Sequence, residues 1–225
     1  MLDTILGTKL GMTQVFSKAG EPIPVTVIKA GPCFVVQKKT TATDGYNALQ
    51  LGFGTRKQKL INKPLENHLK KANLTTVRYL REVRIADPEE YKLGDKVEAG
   101  IFKQGDYVDI RGTSIGKGMA GVMKRYGFSG GPMTHGCTNR RGPGSVGASS
   151  FPSRVFKGTR MAGRMGKDGV KVLKLQVIDI REKEGLMIVK GSVPGPKNGF
   201  LIISKTGRYV KGKSAAQKSE PKGNK

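Results

Sequence analysis

Not one Asp or Glu occurs between Asp109 and Asp168. Those 58 residues, Ile110 to Lys167, hold 11 Lys or Arg and 14 Gly, with few branched apolar side chains. Such a stretch cannot bury enough surface to offset the entropy of ordering it, so it is expected to be mobile alone and to order against a polyanion. Cysteine is nearly absent as well: Cys33 and Cys137 are the only two. That count excludes a Cys-rich zinc site. Their segments differ in character, one strand-like and one glycine-rich, so no disulfide is expected. No apolar run reaches the roughly 18 residues that a membrane-spanning helix needs. The opening Met1-Leu2-Asp3-Thr4 has neither a basic nor an apolar signal-peptide region. The chain therefore reads as soluble and unexported, with no membrane partner.

What is present is positive charge in two blocks. Of a formal +24, the stretch Ile110 to Lys167 carries +11 and the tail Lys205 to Lys225 carries +6, leaving +7 for the other 146 residues. Clustering of this kind is what neutralising a phosphate backbone and releasing its counterions requires. The expected partner is nucleic acid.

The remainder reads as mainly β. Ile5-Leu6, Val15-Phe16, Val25 to Ile28, Phe34 to Val36 and Tyr46 to Phe53 are short strand-like runs. Lys18-Ala19-Gly20-Glu21, Ala30-Gly31-Pro32 and Thr43-Asp44-Gly45 supply turns among them. Pro64 opens a short helix that places Leu65, His68, Leu69 and Ala72 on one face, so His68 is expected to pack there rather than to ligate. Val77 to Ile85, Val97 to Phe102 and Tyr107 to Ile110 read as further strands, followed after the basic stretch by Val170 to Ile180, Leu186 to Val189 and Phe200 to Ile203. The late strands have little partner surface of their own. The simplest fold is one split β-barrel domain, 1–109 and 168–204, with 110–167 inserted and a disordered basic tail, 205–225. Running out and back, the insertion reaches at most about 100 Å, half its extended length at about 3.3–3.6 Å per residue.

Three motifs could carry chemistry. Gly116-Lys117-Gly118-Met119-Ala120-Gly121 matches the letters of the dinucleotide fingerprint, but no acid follows until Asp168 to bind a ribose. It is no Walker loop either, because three residues separate Gly112 from Gly116 and Gly118 stands where Ser or Thr would bind magnesium. Its glycines instead allow close backbone approach to phosphate, with charge from Lys117, Lys124 and Arg125. His135 and Cys137 lack an orienting carboxylate, so His135 is expected to stack on or hydrogen-bond to RNA rather than to catalyse. The strongest signal is Arg140-Arg141 with Arg154, Lys157, Arg160, Arg164 and Lys167, interleaved with Phe151, Phe156, Met161 and Met165. No catalytic residue, metal ligand, cofactor or small-molecule substrate is expected.

Phe102, Asp109, Gly112, Ser114, Gly116-Lys117-Gly118, Gly121 and Arg125 resemble, in identity and spacing, the signature of a universal family, the third protein of the large ribosomal subunit. Gly7-Thr8-Lys9-Leu10-Gly11-Met12-Thr13, Thr134-His135-Gly136, Arg141-Gly142-Pro143-Gly144-Ser145, Val155-Phe156-Lys157-Gly158 and Met161-Ala162-Gly163 extend the likeness, which covers Met1 to about Ser204. The length is similar to the bacterial or plastid branch. A cytoplasmic ribosome is implied, or the plastid stroma for an organelle-encoded or mature chain.

The resemblance implies a split barrel near the 3′ end of the large ribosomal RNA and an insertion threaded toward the peptidyl-transferase centre. It further implies a role in early subunit assembly, neighbouring large-subunit proteins as partners, and no homo-oligomer. The loop Ser145 to Pro152, including Ser150, would lie nearest that centre. By the resemblance Arg140, Arg141, Arg154 and Lys157 would contact the RNA backbone; Arg111, Lys117, Lys124, Arg125, His135, Ser145, Ser150, Arg160, Arg164 and Lys167 complete the expected RNA-binding set. Some relatives carry a methylated Gln before the Pro that matches Pro152. This chain has Ser150-Phe151-Pro152, so no such methylation is expected.

Two rival classes fit less well. An RNA-modifying enzyme needs a cofactor-binding βαβ unit and positioned acid or base groups, neither of which the pattern supplies. A nonspecific packaging protein would need no β core, and here that core takes up most of the chain.

Overall fold

The structure is a computed structural model that describes residues 2–17 and 19–207. The described chain is mainly β. Its strands are β1 Thr4–Phe16, β2 Pro22–Ala30, β3 Cys33–Lys39, β4 Ala48–Phe53, β5 Tyr79–Arg84, β6 Lys96–Val97, β7 Tyr107–Thr113, β8 Met119–Ala120, β9 Gly163–Arg164, β10 Gly169–Arg181, β11 Leu186–Lys190 and β12 Phe200–Lys205. Its α-helices are α1 Thr41–Asp44, α2 Lys63–Lys70 and α3 Val122–Tyr126. Two compact units result among the described residues: 2–112 together with 171–207, and Thr113–Val170.

In the first unit six strands close in the order β1-β12-β7-β10-β11-β2. The late strands thus complete a barrel begun by the early ones. Ile203 of β12 stands opposite both Ile5 of β1 and Ile110 of β7, and Met187 of β11 stands opposite Ile28 of β2. All five side chains are fully buried. Burying a side chain of this size contributes about 1.5–3 kcal/mol, so the alternation of apolar residues along these strands specifies the register. Gly112 lets β7 and β12 pack closely, since a Cβ there would stand 2.8 Å from Leu201 Cδ2 and that buried side chain would have to shift.

Four strands expected in the same barrel form a separate sheet instead, in the order β5-β4-β3-β6. Leu49 and Leu51 of β4 are fully buried and Phe53 nearly so, and α2 adds Leu69 to a small cluster with Val36 and Val77. The Leu65, His68, Leu69 and Ala72 face predicted for this helix accounts for that packing, and His68 Nε2 lies 2.7 Å from Gln50 Oε1.

Local differences have local causes. Ile5-Leu6 and Val15-Phe16 lie on one 13-residue strand, because β1 pairs with β2 as far as Phe16 opposite Pro22. Of the Val97 to Phe102 run only Val97 is strand; Ala99–Ile101 forms a 3-10 turn closed by Phe102 N–H donating to Ala99 O at 3.1 Å. Thr43-Asp44-Gly45 lies in the connection of the antiparallel pair β3 and β4, as expected, and there forms the end of α1. Charge placed the limits of the insertion at Ile110 and Lys167, whereas β7 runs on to Thr113 and Ile110 belongs to the barrel core. Lys205, assigned to the tail, ends β12. Residues 208–225 of the expected disordered tail lie outside the described residues.

Candidate nucleic-acid interface

The second unit is built from its two ends inward. Ser114 N–H donates to Asp168 O, Lys117 N–H to Met165 O and Met165 N–H to Gly118 O, each at 2.9 Å. β8 and β9 continue this zipper, with Met119 opposite Arg164 and Ala120 opposite Gly163. Only Ala120 and Val122 of its apolar residues are buried, as a glycine-rich composition dictates. α3 ends at Gly127, whose left-handed φ of 75° closes the cap. From Gly127 to Ala162 the chain has neither helix nor strand.

The Gly116 to Gly121 segment forms β8 and leads into the five-residue α3. β8 pairs antiparallel with β9, so the βαβ unit of a dinucleotide site is not formed. His135 is exposed and Cys137 is half-buried. Among the described residues no three His, Cys, Asp or Glu side chains gather as a metal-binding group.

The basic side chains are presented outward. Lys117, Lys124, Arg140, Arg141, Arg154, Lys157, Arg160, Arg164 and Lys167 are exposed, as are His135, Ser145 and Ser150. Among the described residues none of these cations forms an ion pair. Arg154 lies over the Phe156 ring at 5.7 Å, and Arg160 lies over Tyr126 at 5.6 Å. Arg140 Nε donates to Cys137 O at 3.4 Å. Ser145 Oγ donates to Gly147 O at 2.9 Å, while Ser150 O accepts from Ser153 Oγ. Phe151, at 88% exposure, and Met133, at 63%, stand among these charges. Exposed aromatic faces beside unpaired cations are the chemistry of base stacking next to a phosphate backbone.

Two of the predicted residues differ from the rest. Arg111 is exposed but lies on barrel strand β7, opposite Ile202. Arg125 is half-buried and donates from Nη1 to Met161 O at 3.0 Å, tying α3 to the returning chain. A Cβ on Gly163 would stand 2.5 Å from that same Nη1, so a side chain there would displace the guanidinium. Arg125 therefore has a structural task within the unit.

At the barrel, Asp109 is buried on β7. Burial alone would push its carboxyl up. The Lys174 backbone N–H and the Lys171 ammonium outweigh that and hold it below the ordinary carboxylate value.

Sequence reasoning placed every candidate contact in the insertion or just before it. It did not single out a further acid-free stretch, between Asp44 and Glu66, that holds Arg56, Lys57, Lys59 and Lys63. All four are exposed. The signal was the same absence of acids over a shorter span.

Comparison with known proteins adds the lineage. Residues 66–185 match the family model described as Ribosomal protein L3. The large ribosomal subunit protein uL3 of Heliobacterium modesticaldum is 53% identical over 199 residues, 88% of this chain and 94% of that protein. The uL3 proteins of Syntrophotalea carbinolica and Herpetosiphon aurantiacus are each 51% identical, over 92% and 94% of this chain and 99% and 100% of their own lengths. With the family model spanning more than half the chain and relatives at this identity spanning most of it, the chain belongs to the ribosomal protein L3 family.

Proposed function

We propose that this chain, a structural constituent of the large ribosomal subunit and not an enzyme, binds ribosomal RNA through the exposed cations of Thr113–Lys167. The observation that carries this reading is that those cations have no acidic partners among the described residues, although burial of phosphate against them would satisfy each one. Phosphate contacts of this kind position a protein on RNA without reading sequence. The β-sheet unit supplies a fixed shape, which a nonspecific packaging protein would not need.

Membership of the family supports a finer placement. The barrel unit sits near the 3′ end of the large-subunit RNA and helps nucleate early assembly, while the loop Ser145 to Pro152 extends toward the peptidyl-transferase centre. Neighbouring large-subunit proteins are the remaining partners, the protein acts as one copy without self-association, and its place is the cytoplasmic ribosome.

Quantitative mass spectrometry of large subunits after a high-salt wash tests the proposal. One copy per subunit, retained through the wash, is expected, because an insertion enclosed by RNA cannot leave by counterion competition alone. Release into the wash, or a stoichiometry far below one, would overturn the proposal that RNA encloses the insertion.

A further inference from the structure

The barrel-containing unit carries a cavity of its own, about 390 Å³, lined in part by Lys29, Phe34, Phe53, Arg78 and Tyr79. That volume lies within the range of about 300–1,000 Å³ typical of small-ligand pockets. A second hollow beside it shares Arg78 and Tyr79 and adds Arg56 and Lys57. Among the described residues none of Lys29, Arg56, Lys57 and Arg78 forms an ion pair.

Backbone pairing fixes one wall of this cavity, while the Arg78 side chain is exposed. Arg78 N–H donates to Gly54 O at 3.0 Å, joining the end of β4 to the start of β5. The Arg78 guanidinium lies 5.0 Å from the Tyr79 ring centroid. Tyr79 stacks on Phe200 at 4.4 Å, and Arg81 lies over Phe200 at 5.6 Å. The result is a row in the order Arg78, Tyr79, Phe200, Arg81, two stacked rings with a guanidinium at each end, whose Arg78 and Tyr79 members line an open, partly apolar cavity.

The geometry points to a second RNA contact here: a pocket that takes one unpaired nucleotide, its base against Phe34 and Tyr79 and its phosphate on Arg78 and Arg56. This rests on the proposal that the chain's partner is RNA, and adds the class of RNA that this unit takes. The bases of a double helix are stacked on one another and cannot enter a cavity, whereas a loop, bulge or strand end can splay one out onto aromatic and guanidinium planes.

The test is photo-crosslinking of the full chain to a single-stranded decamer containing 4-thiouridine, with the labelled peptides mapped by mass spectrometry. Crosslinks are expected at Phe34 or Tyr79 in addition to those in the insertion. Tyr79→Ala and, separately, the exposed Arg78→Gln should lower the yield at this pocket about tenfold, the order expected for loss of one stacked base, and leave the insertion labelled. Excess duplex of the same sequence should not remove the pocket crosslink. Labelling confined to the insertion, or equal displacement by duplex, would overturn the pocket while leaving RNA binding by the insertion intact. No labelling anywhere would overturn both.

Discussion

Lys171 Nζ stands 2.9 Å from Asp109 Oδ2, and only 6% of the Asp109 side chain is exposed. Its other oxygen, Oδ1, accepts from Lys174 N–H at 3.0 Å. One carboxylate thereby ties β7 to β10 beside the points where the chain leaves and re-enters the barrel.

Asp109→Ala should cost about 1–3 kcal/mol at neutral pH, because the change leaves a backbone donor and an ammonium without their acceptor. Asp109→Asn, which keeps an acceptor, should cost less. The folded carboxyl is held below its ordinary value, so its contribution is complete above the unfolded pKa, about 3.9, and fades as pH falls through the lower folded value. Urea denaturation at pH 7 and at successively lower pH measures this. The gap between wild type and Asp109→Ala should be constant down to about pH 4 and then narrow.

Excising Thr113 to Gly166 with a short glycine bridge should leave the barrel folded, since the barrel core draws on residues outside that span. RNA affinity should drop, and the slope of log K against log salt should shallow by about one unit for each phosphate that is no longer neutralised. Filter binding across a salt series reads both. An unchanged slope would refute the role given to the insertion.

Cations in the insertion should separate into two kinds. Arg140→Gln and Arg154→Gln should shift stability by less than about 0.5 kcal/mol, as exposed charges do, while each reduces the salt slope. Arg125→Gln should additionally loosen the β8 and β9 pairing, because it removes the bond to Met161 O. Amide hydrogen exchange at Ala120 and Met165 distinguishes the two: faster exchange in Arg125→Gln, no change in the others.

The two thiols should differ sharply in reactivity. Cys33 is fully buried, and burial pushes its pKa up to about 12 against the lowering effect of its bond to Leu6 O. It should resist iodoacetamide at pH 8 in the folded protein, because only the thiolate reacts. Cys137 is half-buried and should be alkylated. Mass spectrometry should find one adduct in the folded chain and two after denaturation.

Much of this was legible along the chain. Alternating apolar residues marked most of the strands, and Pro64 with Leu69 marked α2, because burial periodicity and proline geometry act locally. The acid-free run from Ile110 to Lys167 marked the basic insertion, because charge and composition are properties of the sequence alone. Partner choice is not local. Nothing in β3, β4 and β5 announced a sheet separate from the barrel, since pairing is decided by which strand edges lie side by side once the chain is folded. Nor did Arg125 differ from Arg140 as letters. Only the approach of Met161 O made one an internal tie and left the other facing outward, and only folding brought Phe34, Arg78 and Tyr79 to one cavity from separate parts of the chain.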